Sequence, residues 1–336
     1  MKPSVFDLEE ERLIKEVTKR GAKRVVIQLP EGLKPEASKL VAAAEKAGSL
    51  AIVSADSCYG ACDLAVQEAE SLGADLVIHI GHSEPTSKKQ SVPIIFIEAK
   101  TNVRLKSTVK KALPLLKSWK SIGLITTVQH VGTLDEMKKA LLKNGKSVII
   151  GDAGRLSYPG QVIGCDYSNA QAVKKDVDAF LFLGGGKFHA IGAALATSKQ
   201  TVVADPYERR AYTIDAEVQR IIKQRWASIQ ETMKSEYLGI LIGLKSGQKR
   251  LQKALQIRDK LQNDGKKIVL LAIREVTPES LMQFPDINAY VNTTCPRISL
   301  DDASKFQKPV LTINEARVIA GELTWEQLLK KGWFED

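Results

Sequence analysis

One order of elements recurs three times along the chain, and it constrains the fold more than any other feature. The first round has apolar runs at residues 24–30, 50–53, 76–80 and 93–97, with helical patterns at 35–47 and 63–72. The second has runs at 121–126, 147–150, 179–183 and 201–204, with a helical pattern at 134–144. The third has runs at 238–242, 267–272, 289–291 and 309–312, with a helical pattern at 250–263. Strands alternating with helices predict an α/β fold with mostly parallel sheets. Three pseudo-symmetric units are expected, over residues 1–103, 104–213 and 214–336 of the 336-residue chain. The alternative is an ordinary two-domain α/β protein whose strands are evenly spaced.

Parallel sheets carry their functional loops at the carboxyl ends of strands, and all four cysteines fall in such loops. Cys58 and Cys62 follow the second run of the first round, Cys165 lies in the long loop after the second run of the second round, and Cys295 follows the third run of the last. None sits inside an apolar run, where an inert core cysteine belongs. With 44% apolar residues the chain has material for a core without disulfides or structural metal, so the thiols are free for chemistry. If the three units pack about a pseudo-threefold axis, their loops converge on a central site. Three thiolates on a [4Fe–4S] cluster would leave one iron open for a substrate. The spacing itself is not diagnostic, because cluster motifs are usually compact. A zinc site, with a fourth ligand from His79, His82, His130 or His189, and four unrelated thiols both stay open.

Other features narrow the class. No run of about 18 apolar residues predicts a membrane span. Residues 1–4 lead into a charged stretch at 8–12, unlike a secretory signal. The expectation is a cytoplasmic protein with reduced thiols. The net charge of +10 is scattered, with no basic run interleaved with aromatics. Solubility explains it first, an acidic macromolecular partner second, and direct nucleic-acid binding is not expected. Arg220 and Arg225 on an expected helix at 215–233 read as a solvated face or a dock for an acidic surface.

Several segments together carry a specific resemblance: Gln28-Leu29-Pro30-Glu31-Gly32-Leu33, Tyr59-Gly60-Ala61-Cys62-Asp63, Ile80-Gly81-His82-Ser83, Tyr158-Pro159-Gly160-Gln161-Val162-Ile163-Gly164-Cys165, Asp205-Pro206-Tyr207, Arg225-Trp226-Ala227, Lys245-Ser246-Gly247-Gln248 and Cys295-Pro296-Arg297. Nearly end to end, the chain resembles the diphthamide-synthesis family of non-standard radical S-adenosylmethionine enzymes. The resemblance implies cluster ligation by Cys62, Cys165 and Cys295, with Cys58 a bystander one helical turn before Cys62. It implies transfer of the 3-amino-3-carboxypropyl group of S-adenosylmethionine to a histidine of elongation factor 2. An external electron donor and, as in compact archaeal members, a homodimer are implied with it.

No side chain is singled out as a general acid or base; the expected task is orientation and exclusion of water. Candidate S-adenosylmethionine contacts are Glu31 for the ammonium, Gln248 for a carboxylate or ribose, and the amides of Gly184, Gly185 and Gly186. That glycine turn lacks the spacing of phosphate-binding and dinucleotide-binding loops, and a plain tight turn is its alternative. His82 and His189 are substrate-orienting or structural. The competing functional readings are another open-iron enzyme, such as a quinolinate-synthase-like lyase or transferase, and a non-catalytic ligand-binding α/β module.

Overall fold

The computed structural model describes residues 5–85, 90–101, 103 and 106–334, so the expected reading of residues 1–4 lies outside the described residues. Three sheets form in chain order. The first contains β1 (Arg24–Gln28), β2 (Leu50–Val53), β3 (Leu76–Ile80) and β4 (Ile94–Ile97), in the spatial order β2-β1-β3-β4. The second contains β5 (Ser121–Thr126), β6 (Ser147–Ile149), β7 (Ala179–Leu183), β8 (Thr201–Asp205) and β9 (Arg210–Thr213), in the order β6-β5-β7-β8-β9. The third contains β10 (Tyr237–Gly243), β11 (Lys267–Ile273), β12 (Ala289–Asn292) and β13 (Val310–Leu311), in the order β11-β10-β12-β13. All pairings are parallel except β8 with β9. The α/β fold class and the threefold repetition of strand order are therefore as the sequence predicts.

Each unit turns back on itself between its first and third strands. That is the switch point of a doubly wound sheet, where a crevice opens beyond the strand ends. Side chains alternate along the central strands. Val25 and Ile27 face the core beneath the helices Glu10–Arg20 and Ala37–Lys46, while Val26 faces the core of the short helix Val66–Ser71. Covering both faces is why these strands read as continuous apolar runs.

Some elements depart from expectation. The helical pattern at 35–47 begins as a 3-10 turn, Glu31–Glu36, because Pro35 cannot donate to an α-helical ladder. The antiparallel β9 is a hairpin return that the repeat does not contain. The helix Asp215–Met233 forms as expected, but Arg225 is not on a solvated face. It is fully buried, with its Nε and Nη2 each 2.7 Å from the Glu315 carboxylate. The same guanidinium donates to Ser299 O and Val310 O, and Trp333 Nε1 donates to Glu315 at 2.7 Å. The cation thus fastens this helix to the segment just after Cys295; Arg220 remains exposed.

The second and third units share one apolar core. It runs from Phe180 and Phe182 through the helix Phe188–Thr197 to Leu311, Val318, Leu328, Trp333 and Phe334. The strands fall within residues 24–97, 121–213 and 237–311, and we retain cuts at 103/104 and 213/214 as a proposed division. Residue 104 lies outside the described residues.

Candidate functional site

Cys62 is gripped from another unit. After β10, the turn at residues 245–248 lies against the Cys62 loop, and Gly247 N donates to Cys62 O at 2.8 Å. A Cβ on Gly247 would lie 2.5 Å from Cys62 Cα, so only glycine permits this approach. Gln248 Nε2 sits 3.5 Å from Cys62 Sγ. Lys245 Nζ, buried, reaches Asp63 Oδ2 at 2.8 Å, pairs with Glu275 and lies 4.5 Å above the Tyr59 ring. One turn of the third unit therefore contacts the thiol, backbone and following side chain of Cys62.

Cys165 occupies the tip of a tight loop in which Ile163 N donates to Asp166 O at 3.2 Å. A bridge between Thr126 and Gln161 lays the approach to this loop along the end of β5. Cys295 is the residue before the helix Pro296–Asp301. Its turn is shaped by buried Asn292, which donates to Cys295 O at 2.7 Å and accepts from Thr294 N and Oγ1. Arg297 then joins the two regions. Its guanidinium lies 3.8 Å from the Phe188 ring centroid, donates to Phe188 O and pairs with Asp301. Phe188 in turn packs where a Cβ on Gly164, the neighbour of Cys165, would meet it at 3.0 Å.

Burial raises all three thiols. Burial first, then the charges of Cys62 and Cys295, push Cys165 up to about 12. Cys295 is raised by burial and then by Cys62, and Cys62 is raised by burial with Gln248 opposing. Each of the three remains partly accessible and reduced. Three thiols, one from each unit and each raised by burial, stay protonated unless a strong positive charge joins them. Iron supplies that charge, and thiolate is its preferred ligand in clusters. The donor set thus fits a cluster held at three corners.

Cys58 differs. It is buried, and burial pushes its thiol up to about 12. Its sulfur lies within 4.8 Å of ring nitrogens of His79 and His82. His189 is half-buried and stacks on Phe182.

The candidate S-adenosylmethionine contacts are placed unevenly. Gln248 touches Cys62. Gly184 N and Gly186 N already donate to Ala204 O and Asp205 Oδ2, at 3.2 and 2.8 Å. Glu31 is 60% exposed at its side chain and paired with Lys34 at 2.9 Å. The sequence reading missed Lys245, Asn292 and Arg297 as supports of the thiols. Their signal was only adjacency to motif residues, which does not say what a side chain touches.

The family model for diphthamide synthesis proteins matches residues 29–329. The chain is 38% identical over 319 residues to the 2-(3-amino-3-carboxypropyl)histidine synthase of Pyrococcus horikoshii, covering 94% of this chain and 91% of that protein. It is 28% identical over 329 residues to the chicken (Gallus gallus) 2-(3-amino-3-carboxypropyl)histidine synthase subunit 1, covering 97% of this chain and 79% of that one. A crystal structure of Dph2 from Pyrococcus horikoshii with a 4Fe-4S cluster matches with a TM-score of 0.87 at 35% identity, covering 98% of this chain and 95% of that one.

Proposed function

The chain belongs to the diphthamide synthesis protein family, and from that premise we infer that it transfers the 3-amino-3-carboxypropyl group of S-adenosylmethionine to a histidine side chain, the first step of diphthamide formation. The observation that supports this reading is that each of the three sheet units supplies one partly accessible cysteine from a strand-end loop, with Gly247 and Gln248 of the third unit set against Cys62 of the first. We assign Cys62, Cys165 and Cys295 as the cluster ligands. The chemistry that a [4Fe–4S] cluster supplies there is one-electron reduction of the substrate sulfonium at an open iron.

The residues of the chain then have defined tasks. The three thiolates hold the cluster and leave one corner for substrate. Gln248, against Cys62 Sγ, limits where the substrate can approach that thiolate. Lys245 and Arg297 hold the loops in register, and the reaction requires that register to set the γ-carbon, rather than another sulfonium carbon, in line for bond breaking. Cleavage releases methylthioadenosine. The 3-amino-3-carboxypropyl radical adds to an imidazole carbon of the target, and the adduct loses one proton to solvent and one electron to the oxidised cluster, so the transfer is redox-neutral overall. Gln248 has the strongest support among substrate contacts. Gly185 is the member of the glycine turn whose amide lies between two engaged neighbours. Glu31 would have to exchange Lys34 for the substrate.

The protein substrate is elongation factor 2, the electron comes from an external donor, and the working unit is a homodimer in the cytoplasm; these assignments rest on the resemblance to the archaeal members. No helix among the described residues is long and apolar enough to cross a membrane. The test is anaerobic incubation of reduced, cluster-loaded protein with S-adenosylmethionine and elongation factor 2, followed by mass analysis. A carboxypropyl mass gain on one histidine, with equal methylthioadenosine, supports the reading. Methylthioadenosine release without modification of any protein contradicts it.

A further inference from the structure

A chain of hydrogen bonds fixes the proton on two histidines beside Cys62. It begins at Gln28, at the end of β1. Gln28 Nε2 donates to Asp63 O at 2.7 Å, and its Oε1 accepts from Ala65 N at 3.0 Å. A carbonyl only accepts and a backbone amide only donates, so the Gln28 amide has one possible orientation. The parallel register of β1 and β3 sets Gln28 beside His79, whose Nδ1 lies 2.8 Å from Gln28 Oε1. That oxygen can only accept, so the hydrogen sits on His79 Nδ1 and the lone pair on Nε2.

His79 Nε2 lies 3.0 Å from His82 Nδ1. With a lone pair on the first atom, the second must carry a hydrogen. The consequence is a lone pair rather than a hydrogen on His82 Nε2, with no donor to it among the described residues. Burial keeps His79 well below the ordinary imidazole range and His82 down at about 4. A Cβ placed on Gly60 would lie 3.7 Å from Cys62 Sγ and 4.0 Å from His82 Nε2, so thiol and lone pair flank the same glycine. The sulfur of Cys58 is near enough for these three residues to hold a metal. Such a metal would need the His79 Nε2 lone pair, which the His82 N–H already occupies.

We propose that His82 Nε2 accepts a hydrogen bond from the ammonium of S-adenosylmethionine, and so fixes the methionine end of the substrate beside Cys62. The inference rests on the function proposed above and adds a binding residue to it. A fixed lone pair beside the thiols calls for a donor. Two kinds of donor lie equally near the sulfonium of this substrate, the ammonium and the ribose hydroxyls; the ammonium is charged and makes the stronger hydrogen bond to a neutral acceptor. A buried ammonium must in turn find acceptors. The Glu31 carboxylate is largely exposed and already paired, whereas His82 Nε2 is oriented in advance by three hydrogen-bonded links.

The experiment measures equilibrium binding to oxidised, cluster-loaded protein, in which no turnover occurs. The two ligands are S-adenosylmethionine and its deamino analogue, which lacks only the ammonium. Wild-type protein is expected to prefer S-adenosylmethionine by about ten- to hundredfold, as for a hydrogen bond to a charged group. His82→Phe should abolish that preference and leave affinity for the analogue unchanged, at an undiminished cluster absorbance per chain. His82→Gln, whose carbonyl reaches the position of Nε2, should restore part of it. His79→Phe removes the acceptor that orients His82 and should reduce the preference with His82 still present. A full preference in His82→Phe or in His79→Phe overturns the proposal, as does zinc bound one per chain and lost in Cys58→Ser. Equal wild-type affinity for the two ligands overturns this inference alone. Wild-type protein that binds neither overturns the proposed function as well.

Discussion

Lys245 Nζ lies 2.8 Å from Asp63 Oδ2, so a cation from the third sheet is seated on the residue that follows Cys62. Both side chains are almost entirely buried, and their interaction is far less screened than a surface pair. Removing one partner leaves the other charge buried without compensation, at a cost of about 3–5 kcal/mol. Lys245→Met should lower the thermal midpoint and, in the protein that remains folded, the visible absorbance per chain. Melting curves and anaerobic absorbance near 400 nm check this.

Gly247 offers a cleaner separation of fold from site. Gly247→Ala puts a methyl group 2.5 Å from Cys62 Cα and forces the two loops apart. Its expected effect is a loss of bound iron well in excess of the loss of stability. Iron content measured beside a urea titration distinguishes the two; a variant that binds iron normally contradicts the account of how Cys62 is held.

The Arg225–Glu315 pair tests the frame instead. Both groups are fully buried, bonded by two short contacts and satisfied further by Ser299 O, Val310 O and Trp333 Nε1. Arg225→Met should cost about 3–5 kcal/mol, read by chemical denaturation, because it strands the Glu315 carboxylate. Trp226→Ala, at the exposed neighbouring position, should cost much less.

Stability should also fall in mild acid. Burial is the main cause that holds His130 down at about 4, with Asp205 opposing, against an unfolded value near 6.5. Between those values the unfolded chain binds the proton and the folded chain does not. The contribution is therefore complete above about pH 6.5 and is lost as pH falls toward 4. For this residue alone the loss from pH 7 to pH 5 is about 2 kcal/mol. Asp301, raised to about 6 by burial, works in the opposite direction below pH 6. Urea midpoints of the metal-free chain at pH 7 and pH 5 check the sign, and His130→Phe should shrink the difference by about 2 kcal/mol, with His79, His82 and His189, also held down by burial, keeping the rest.

Sequence and structure agree where side-chain pattern alone decides. Continuous runs such as Leu76–Ile80 are strands because both faces of a parallel sheet are covered. The three loops bearing Cys62, Cys165 and Cys295 are legible because strand ends carry function in such sheets. What stayed hidden is contact between distant segments. Arg225 lies on a helix whose outward appearance is polar, and nothing local shows that Glu315, 90 residues on, takes it into the core. Gln248 and Lys245 follow a strand like many other polar residues; only the packing of the third unit on the first brings them to Cys62 and Asp63. The tautomers of His79 and His82 depend on the register of β1 against β3, which no single segment encodes.

The central claim is that three sulfurs from three sheets hold one cluster. Its most direct measurement is the visible and electron paramagnetic resonance spectrum of anaerobically reconstituted protein, taken for wild type and for single alanine variants at Cys58, Cys62, Cys165 and Cys295. The account predicts a [4Fe–4S] signature in wild type and in Cys58→Ala, and its loss or conversion in each of the other three. A signature that survives the removal of Cys62, Cys165 or Cys295 without change, or one that disappears only with Cys58, would contradict it.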